Sequence, residues 1–86
     1  MYKVVLSRQA MKDVERLRAA GLLKNAKRLL DLLAQDPYHT PPPCEKLVGN
    51  LSGLFSRRIN IQHRLVYQVL EEQKVVHVLR MWSHYE

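Results

Sequence analysis

The sequence contains only one cysteine, Cys44, and no long apolar run. A single cysteine excludes an internal disulfide and a zinc site built from several cysteines. No apolar stretch approaches the roughly 20 residues that span a bilayer. The apolar part of the first seven residues is also much shorter than the core of a signal peptide. We therefore expect a cytoplasmic protein with no membrane partner.

Acidic residues are scarce, with 8 Asp and Glu against 14 Lys and Arg and a net charge of +6. Between Pro37 and Leu70 the only acidic residue is Glu45. Such a balance favours a polyanion or an acidic protein as partner. The 86 residues suffice for one core and not for two, so a single domain over residues 1–86 is expected. The four histidines and the cysteine lack zinc-site spacing, which predicts no metal and no cofactor.

Helical periodicity dominates the first part of the chain. β-formers at residues 2–6 predict a short strand, and Ser7 is a suitable N-cap. Apolar residues three or four apart predict a helix over residues 9–20 that ends at Gly21; they are Ala10, Met11, Val14 and Leu17. A second helix follows up to Asp36-Pro37, with Leu29, Leu30 and Leu33 as core residues. The short connection predicts an antiparallel helical hairpin.

After the proline-rich residues 37–43, the hydrophobic period changes to two. Strands are expected over residues 54–61, 63–70 and 74–82, with a polar turn at 71–73. Leu47 and Val48 are candidates for another short edge strand. The predicted fold is α+β, with an N-terminal strand and a two-helix hairpin packed on one face of a mostly antiparallel sheet. The other face is expected to be open.

Arginines are concentrated on the predicted strands. Adjacent strand residues point to opposite faces, so Arg57 and Arg58 do not share a face without a bulge. Arg58 and Arg64 are expected on one face, within reach of one phosphate if the hairpin register is right. The planar guanidinium suits phosphate, but it also suits the carboxylates of a protein partner or a solvated surface. The charge pattern alone leaves these alternatives open.

Four short segments are distinctive together. They are N-L-S-G at residues 50–53, S-R-R-I at 56–59, H-R-L-V-Y at 63–67 and W-S-H-Y at 82–85. With Glu45 before them, they resemble the Txe/YoeB family of toxins from toxin–antitoxin modules, within the RelE-like group of small ribonucleases. The resemblance implies a RelE/YoeB-like fold and a ribosome-dependent endoribonuclease that cuts mRNA in the A site of the 30S subunit.

The resemblance also implies roles for individual residues. Glu45 corresponds to the general base, Arg64 to the arginine that holds the scissile phosphate, and His84 to the general acid. Cleavage of RNA without a metal needs these three groups, and would leave a 2′,3′-cyclic phosphate and a 5′-hydroxyl. Further candidates for RNA binding or active-site support are Arg58, Tyr85, Lys46, Arg57, Asn50 and Trp82.

Neighbouring arginines would lower the pKa of Glu45 and weaken it as a base. We therefore expect either a partly desolvated Glu45 or RNA held so well by the ribosome that a weak base suffices. In both cases the free protein should be a poor nuclease. Trp82 is equally compatible with a core ring and with stacking on a base, and Cys44 is expected to be inert.

The sequence departs from the family pattern at several positions. Cys44 and Lys46 flank Glu45 where the family often has prolines, and Leu54 stands in place of a second ring beside Phe55. Glu86 extends the chain one residue past the terminal tyrosine.

The resemblance implies several partners. They are a cognate YefM/Axe-like antitoxin with an acidic segment, the ribosome with its mRNA, operator DNA for the toxin–antitoxin complex, and, as an option, a second copy in a homodimer. An alternative function on the same fold is inhibition of DNA gyrase without RNA cleavage.

Overall fold

A computed structural model describes residues 1–49 and 53–82. Its elements are β1 (Lys3–Leu6), α1 (Arg8–Ala19), α2 (Leu23–Gln35), β2 (Glu45–Lys46), β3 (Leu54–Arg58), β4 (Arg64–Leu70) and β5 (Val75–Arg80), with a 3-10 turn at Glu71–Gln73. The sheet has the order β1-β5-β4-β3-β2. β1 runs parallel to β5, and the other neighbours are antiparallel. The arrangement confirms the predicted α+β fold.

Local sequence signals explain where α1 begins and ends. The Ser7 Oγ accepts a hydrogen bond from the Ala10 N–H at 3.0 Å, as an N-cap does. Gly21 has a φ of 75°, a left-handed conformation that ends the helix at little steric cost. The buried face differs from the prediction, because Met11 is 62% exposed and Asp13 is buried in its place.

The core lies between the two helices and one face of the sheet. Leu29 and Leu33 are buried as predicted, and Leu30 packs partly against the same cluster. On the sheet, Leu65 and Tyr67 are fully buried on the face that meets the helices. The period-two pattern of β4 therefore has its physical cause in alternate side chains entering this core.

The strand ends differ from the sequence-based expectations. β3 stops at Arg58, since Asn60 forms a turn in which its Oδ1 accepts from the backbone N–H groups of Gln62 at 2.9 Å and His63 at 2.6 Å. The edge strand lies at Glu45–Lys46 and not at Leu47 and Val48, which is a correction of the prediction. This shift brings Glu45 itself into the sheet.

Candidate active site

The open face of the sheet brings Glu45 and Arg64 together, although they are 19 residues apart in the chain. β2 pairs with β3 so that Glu45 lies opposite Ser56. From the start of β4, the Nη1 of Arg64 donates a hydrogen bond to the Glu45 carboxylate and lies 3.4 Å from the Ser56 Oγ. Three neighbouring strands thus build this contact.

Arg58 joins the same cluster from the end of β3. It is the direct antiparallel partner of Arg64, as the predicted register requires. Directly opposed residues share a face, with Cβ atoms about 4.5–5.5 Å apart. Arg58 is exposed and the side chain of Arg64 is 24% exposed. Among the described residues, the cluster has two guanidinium groups and one carboxylate, so its net charge is positive.

The arginines determine the protonation state of Glu45. The hydrogen bond from Arg64 lowers the pKa of Glu45 below its ordinary 4.5; the positive charge of Arg64 lowers it further, and that of Arg58 adds a smaller effect. The Glu45 side chain is 58% exposed, so the expected partial desolvation is not found. In the free protein Glu45 is an ionised and weak base.

Arg57, predicted to bind RNA or to support the active site, does not belong to this cluster. It is 0% exposed and points to the helix-facing side of β3. The side chain of Lys46 is not in the cluster either. Lys46 lies opposite Phe55 in the β2–β3 pair, and the ring of Phe55 packs against the core. Strand alternation is the physical reason in both cases.

Trp82 follows β5 and stacks on the ring of His63, with centroids 3.9 Å apart and an interplanar angle of 21°. It is half-buried and packs against the core cluster. This favours the core-ring interpretation of Trp82 over a free platform for a base. The remaining candidates Asn50, His84 and Tyr85 lie outside the described residues.

One contact near the site was not predicted from the sequence: the Cys44 Sγ lies 3.2 Å from the Oη of Tyr67. That Cys44 is chemically inert stays a prediction. Strand alternation could have indicated this contact, because Cys44, next to Glu45, points to the reverse face of the sheet, where Tyr67 is buried in the core.

Within residues 1–49 and 53–82, no group of three or more His, Cys, Asp or Glu side chains is arranged to hold a metal ion. Over the same residues, neither helix combines the length and the apolar character needed to cross a membrane.

Solved structures of bacterial toxins share this fold. A YoeB/ParE toxin from Agrobacterium tumefaciens superposes with a TM-score of 0.87 at 27% identity and covers 96% of this chain and 99% of its own. The toxin of a YoeB-YefM complex from Staphylococcus aureus gives 0.81 at 30% identity, over 99% of both chains. The fold and the charged open face therefore define a small toxin of a toxin–antitoxin system.

Sequence comparison identifies the family. The family described as YoeB-like toxin of bacterial type II toxin-antitoxin system matches residues 7–85. A toxin YoeB from Synechocystis is 40% identical over 65 residues, which cover 76% of this chain and 73% of that protein. Another from Streptomyces coelicolor is 43% identical over 53 residues, 62% of this chain and 63% of the relative. The chain belongs to the YoeB-like toxin family, which confirms the resemblance seen in its sequence.

Proposed function

We propose that this toxin is a ribosome-dependent mRNA endoribonuclease that stops translation in the cytoplasm. The observation that carries the proposal is the meeting of Glu45, Arg64 and Arg58 on the open face of the sheet. A carboxylate is suited to accept a proton, and two guanidinium groups are suited to bind a phosphate and its developing negative charge.

In the proposed reaction, Glu45 accepts the proton of a ribose 2′-hydroxyl as that oxygen attacks the adjacent phosphorus. The bond from phosphorus to the 5′-oxygen breaks, and the products are a 2′,3′-cyclic phosphate and a 5′-hydroxyl. Arg64 and Arg58 stabilise the additional charge on the phosphate oxygens. Protonation of the leaving oxygen is assigned to His84, and this assignment rests on the family resemblance.

The Glu45–Arg64 ion pair explains why the free protein should be a poor nuclease. The guanidinium of Arg64 is engaged by a carboxylate of the same chain, and the lowered pKa of Glu45 makes it a weak base. Entry of a phosphate beside Arg64 weakens its hold on Glu45 and raises the basicity of the carboxylate. The ribosome would supply the remaining requirement by holding the RNA in line for attack.

The same positive face is the proposed binding site of an antitoxin. A solved YoeB from Staphylococcus aureus occurs in complex with YefM and also as a dimer. For this chain we propose an acidic antitoxin segment whose carboxylates bind Arg58 and Arg64. The net charge of +6 favours an acidic partner. Homodimerisation and binding of operator DNA by the complex belong to the same proposal.

The test is induced expression in bacteria followed by mapping of RNA ends, with and without active translation. We expect translation-dependent mRNA cuts with 5′-hydroxyl ends and growth arrest. Glu45→Gln and His84→Gln should relieve both, whereas the control variants Glu72→Gln and His39→Gln should not. Double-strand breaks in DNA with intact transcripts would instead establish the gyrase alternative. Equal toxicity of a Glu45→Gln/His84→Gln double variant would overturn the catalytic assignment.

A further inference from the structure

The reverse face of the sheet contains a buried polar cluster directly behind the candidate site. Arg57 and Tyr67 are both 0% exposed. The Arg57 Nε donates to the Tyr67 Oη at 3.1 Å, and its other nitrogens donate to the carbonyls of Pro42 at 2.8 Å and Pro37 at 3.0 Å. Within the described residues no carboxylate forms a salt bridge with Arg57. Burial of a charged arginine among neutral acceptors has a large desolvation cost, so its N–H donors have to be well paired in hydrogen bonds.

The protons in this cluster can be assigned individually. Tyr67 has one hydroxyl proton, which it donates to the Pro37 carbonyl at 2.7 Å. Its oxygen already accepts from the Nε of Arg57. The contact of 3.2 Å between the Cys44 Sγ and the Tyr67 Oη therefore requires the thiol to be the donor. Cys44 acts in this contact as a hydrogen-bond donor and not only as a small apolar side chain.

This donor lies one residue before Glu45. β2 consists of two residues and lies at the edge of the sheet, so few ladder hydrogen bonds of its own hold it. Its next backbone contact is the Leu47 N–H to the Leu54 carbonyl at 3.0 Å. Because alternate residues of a strand point to opposite faces, fixing Cys44 on the reverse face orients Glu45 toward Arg64 on the open face.

We propose that Cys44, Tyr67 and Arg57 are positioning residues that hold Glu45 against Arg64 from the reverse side of the sheet. Arg57 and Tyr67 join the connector at Pro37 and Pro42 to β3 and β4, and the Cys44 thiol fixes the entry into β2. The orientation of Glu45 by these residues is inferred from the contacts alone. Its consequence for catalysis rests on the proposed function.

The first experiment examines the free protein and needs no activity. The pKa of the Glu45 carboxyl is measured by ¹³C NMR in the wild type, Cys44→Ser, Cys44→Ala and Tyr67→Phe. Within residues 1–49 and 53–82, the charged groups that act on Glu45 are Arg64 and Arg58. Serine keeps a donor, so Cys44→Ser should retain the lowered pKa, whereas Cys44→Ala and Tyr67→Phe should raise it toward its ordinary value. Tyr38→Phe, which removes an exposed phenol, is the matched control for Tyr67→Phe and should change nothing at Glu45.

The second experiment measures mRNA cleavage on purified ribosomes. Misplacing a base lowers kcat and not binding, so Cys44→Ala should reduce kcat by about fivefold with KM unchanged, and Cys44→Ser should restore it. The acid limb of the kcat profile should move to higher pH in Cys44→Ala, since a base with a raised pKa is protonated at higher pH.

The outcomes separate the two proposals. If no form cleaves RNA but the pKa of Glu45 follows the predicted order, the proposed function fails and the positioning role stands. If Cys44→Ala and Tyr67→Phe lose thermal stability while the pKa of Glu45 and kcat stay at wild-type values, the cluster is purely structural and the positioning proposal is overturned.

Discussion

Arg58 and Arg64 lie directly opposite each other on adjacent antiparallel strands. Like charges in this relationship repel and destabilise the strand pair, and Glu45 compensates one of them. The phosphate that we propose as substrate would bind between the two side chains and offset this repulsion. Substitution of one of the two arginines should therefore change the stability and the activity of the toxin in opposite directions.

Removing one of the opposed charges should stabilise the free toxin and impair it. We expect Arg58→Gln to increase the free energy of unfolding by about 0.2–1 kcal/mol, since repulsion across the strands is relieved. The rate of mRNA cleavage by Arg58→Gln should fall by roughly tenfold or more, because one of the two guanidinium groups that bind the phosphate is lost. Urea denaturation and a ribosome cleavage assay measure the two quantities. Arg28→Gln, an exposed change on α2, should alter neither, and a loss of stability in Arg58→Gln would contradict the prediction.

The two adjacent arginines of β3 should respond differently to the same substitution. Arg57→Met removes the buried donor to the Pro42 carbonyl, and it removes one of the donors to the Pro37 carbonyl and to the Tyr67 phenol oxygen. We expect it to lower the free energy of unfolding by about 2–4 kcal/mol. Arg58→Met, on the exposed side, should not lower it and, like Arg58→Gln, should raise it by about 0.2–1 kcal/mol. Equal effects in urea denaturation would show that Arg57 is not a structural residue.

The buried carboxylate of Asp13 should be a determinant of stability. Its Oδ2 accepts from the Met81 N–H at 2.9 Å, and its Oδ1 accepts from the Gln9 side chain at 3.0 Å. Asp13→Ala leaves the buried Met81 N–H without an acceptor and should cost about 1–3 kcal/mol in urea denaturation. Asp31→Ala, an exposed change on α2, is the matched control and should stay close to the wild type.

Acid should weaken the fold through Glu71. Hydrogen bonds from Lys74, Tyr38 and Tyr2, in that order, lower the pKa of Glu71 from 4.5 to about 2. A carboxyl with a lower pKa in the folded state stabilises the fold above its unfolded pKa, and the contribution is lost as pH falls through the folded pKa. The Tm advantage of the wild type over Glu71→Gln should therefore be constant above about pH 5 and disappear toward about pH 2. Glu72→Gln should show the wild-type pH dependence, and a constant difference down to pH 2 would refute the role of Glu71.

The sequence pattern predicted the sheet because the core residues Leu65 and Tyr67 of β4 alternate with Arg64 and Gln68 on the other face, although Val66 is also buried. This pattern did not by itself fix the register that pairs Arg58 with Arg64, since register depends on the turn between β3 and β4. It did not predict where β3 stops, since the turn depends on the Asn60 side chain accepting from two backbone N–H groups. It also placed Met11 in the core, where Asp13 lies instead because it accepts from the distant Met81.

The open face was predictable in part. Glu45 and Arg64 were indicated by the family resemblance, but their ion pair depends on β2 being an edge strand, which two residues of sequence cannot signal. Arg57 and Arg58 were expected on opposite faces, but charge alone does not show that the face of Arg57 is buried. Its actual acceptors lie in a proline-rich connector 15 and 20 residues away, beyond the reach of local patterns.

The position of β1 has a consequence for the synthesis of the toxin. β1 is an edge strand whose partner in the sheet is β5, the last described element to leave the translating ribosome. During synthesis β1 therefore cannot pair with β5 until nearly all of the described chain has been made. The pairing of β1 with β5 is therefore one of the last steps by which the described fold forms.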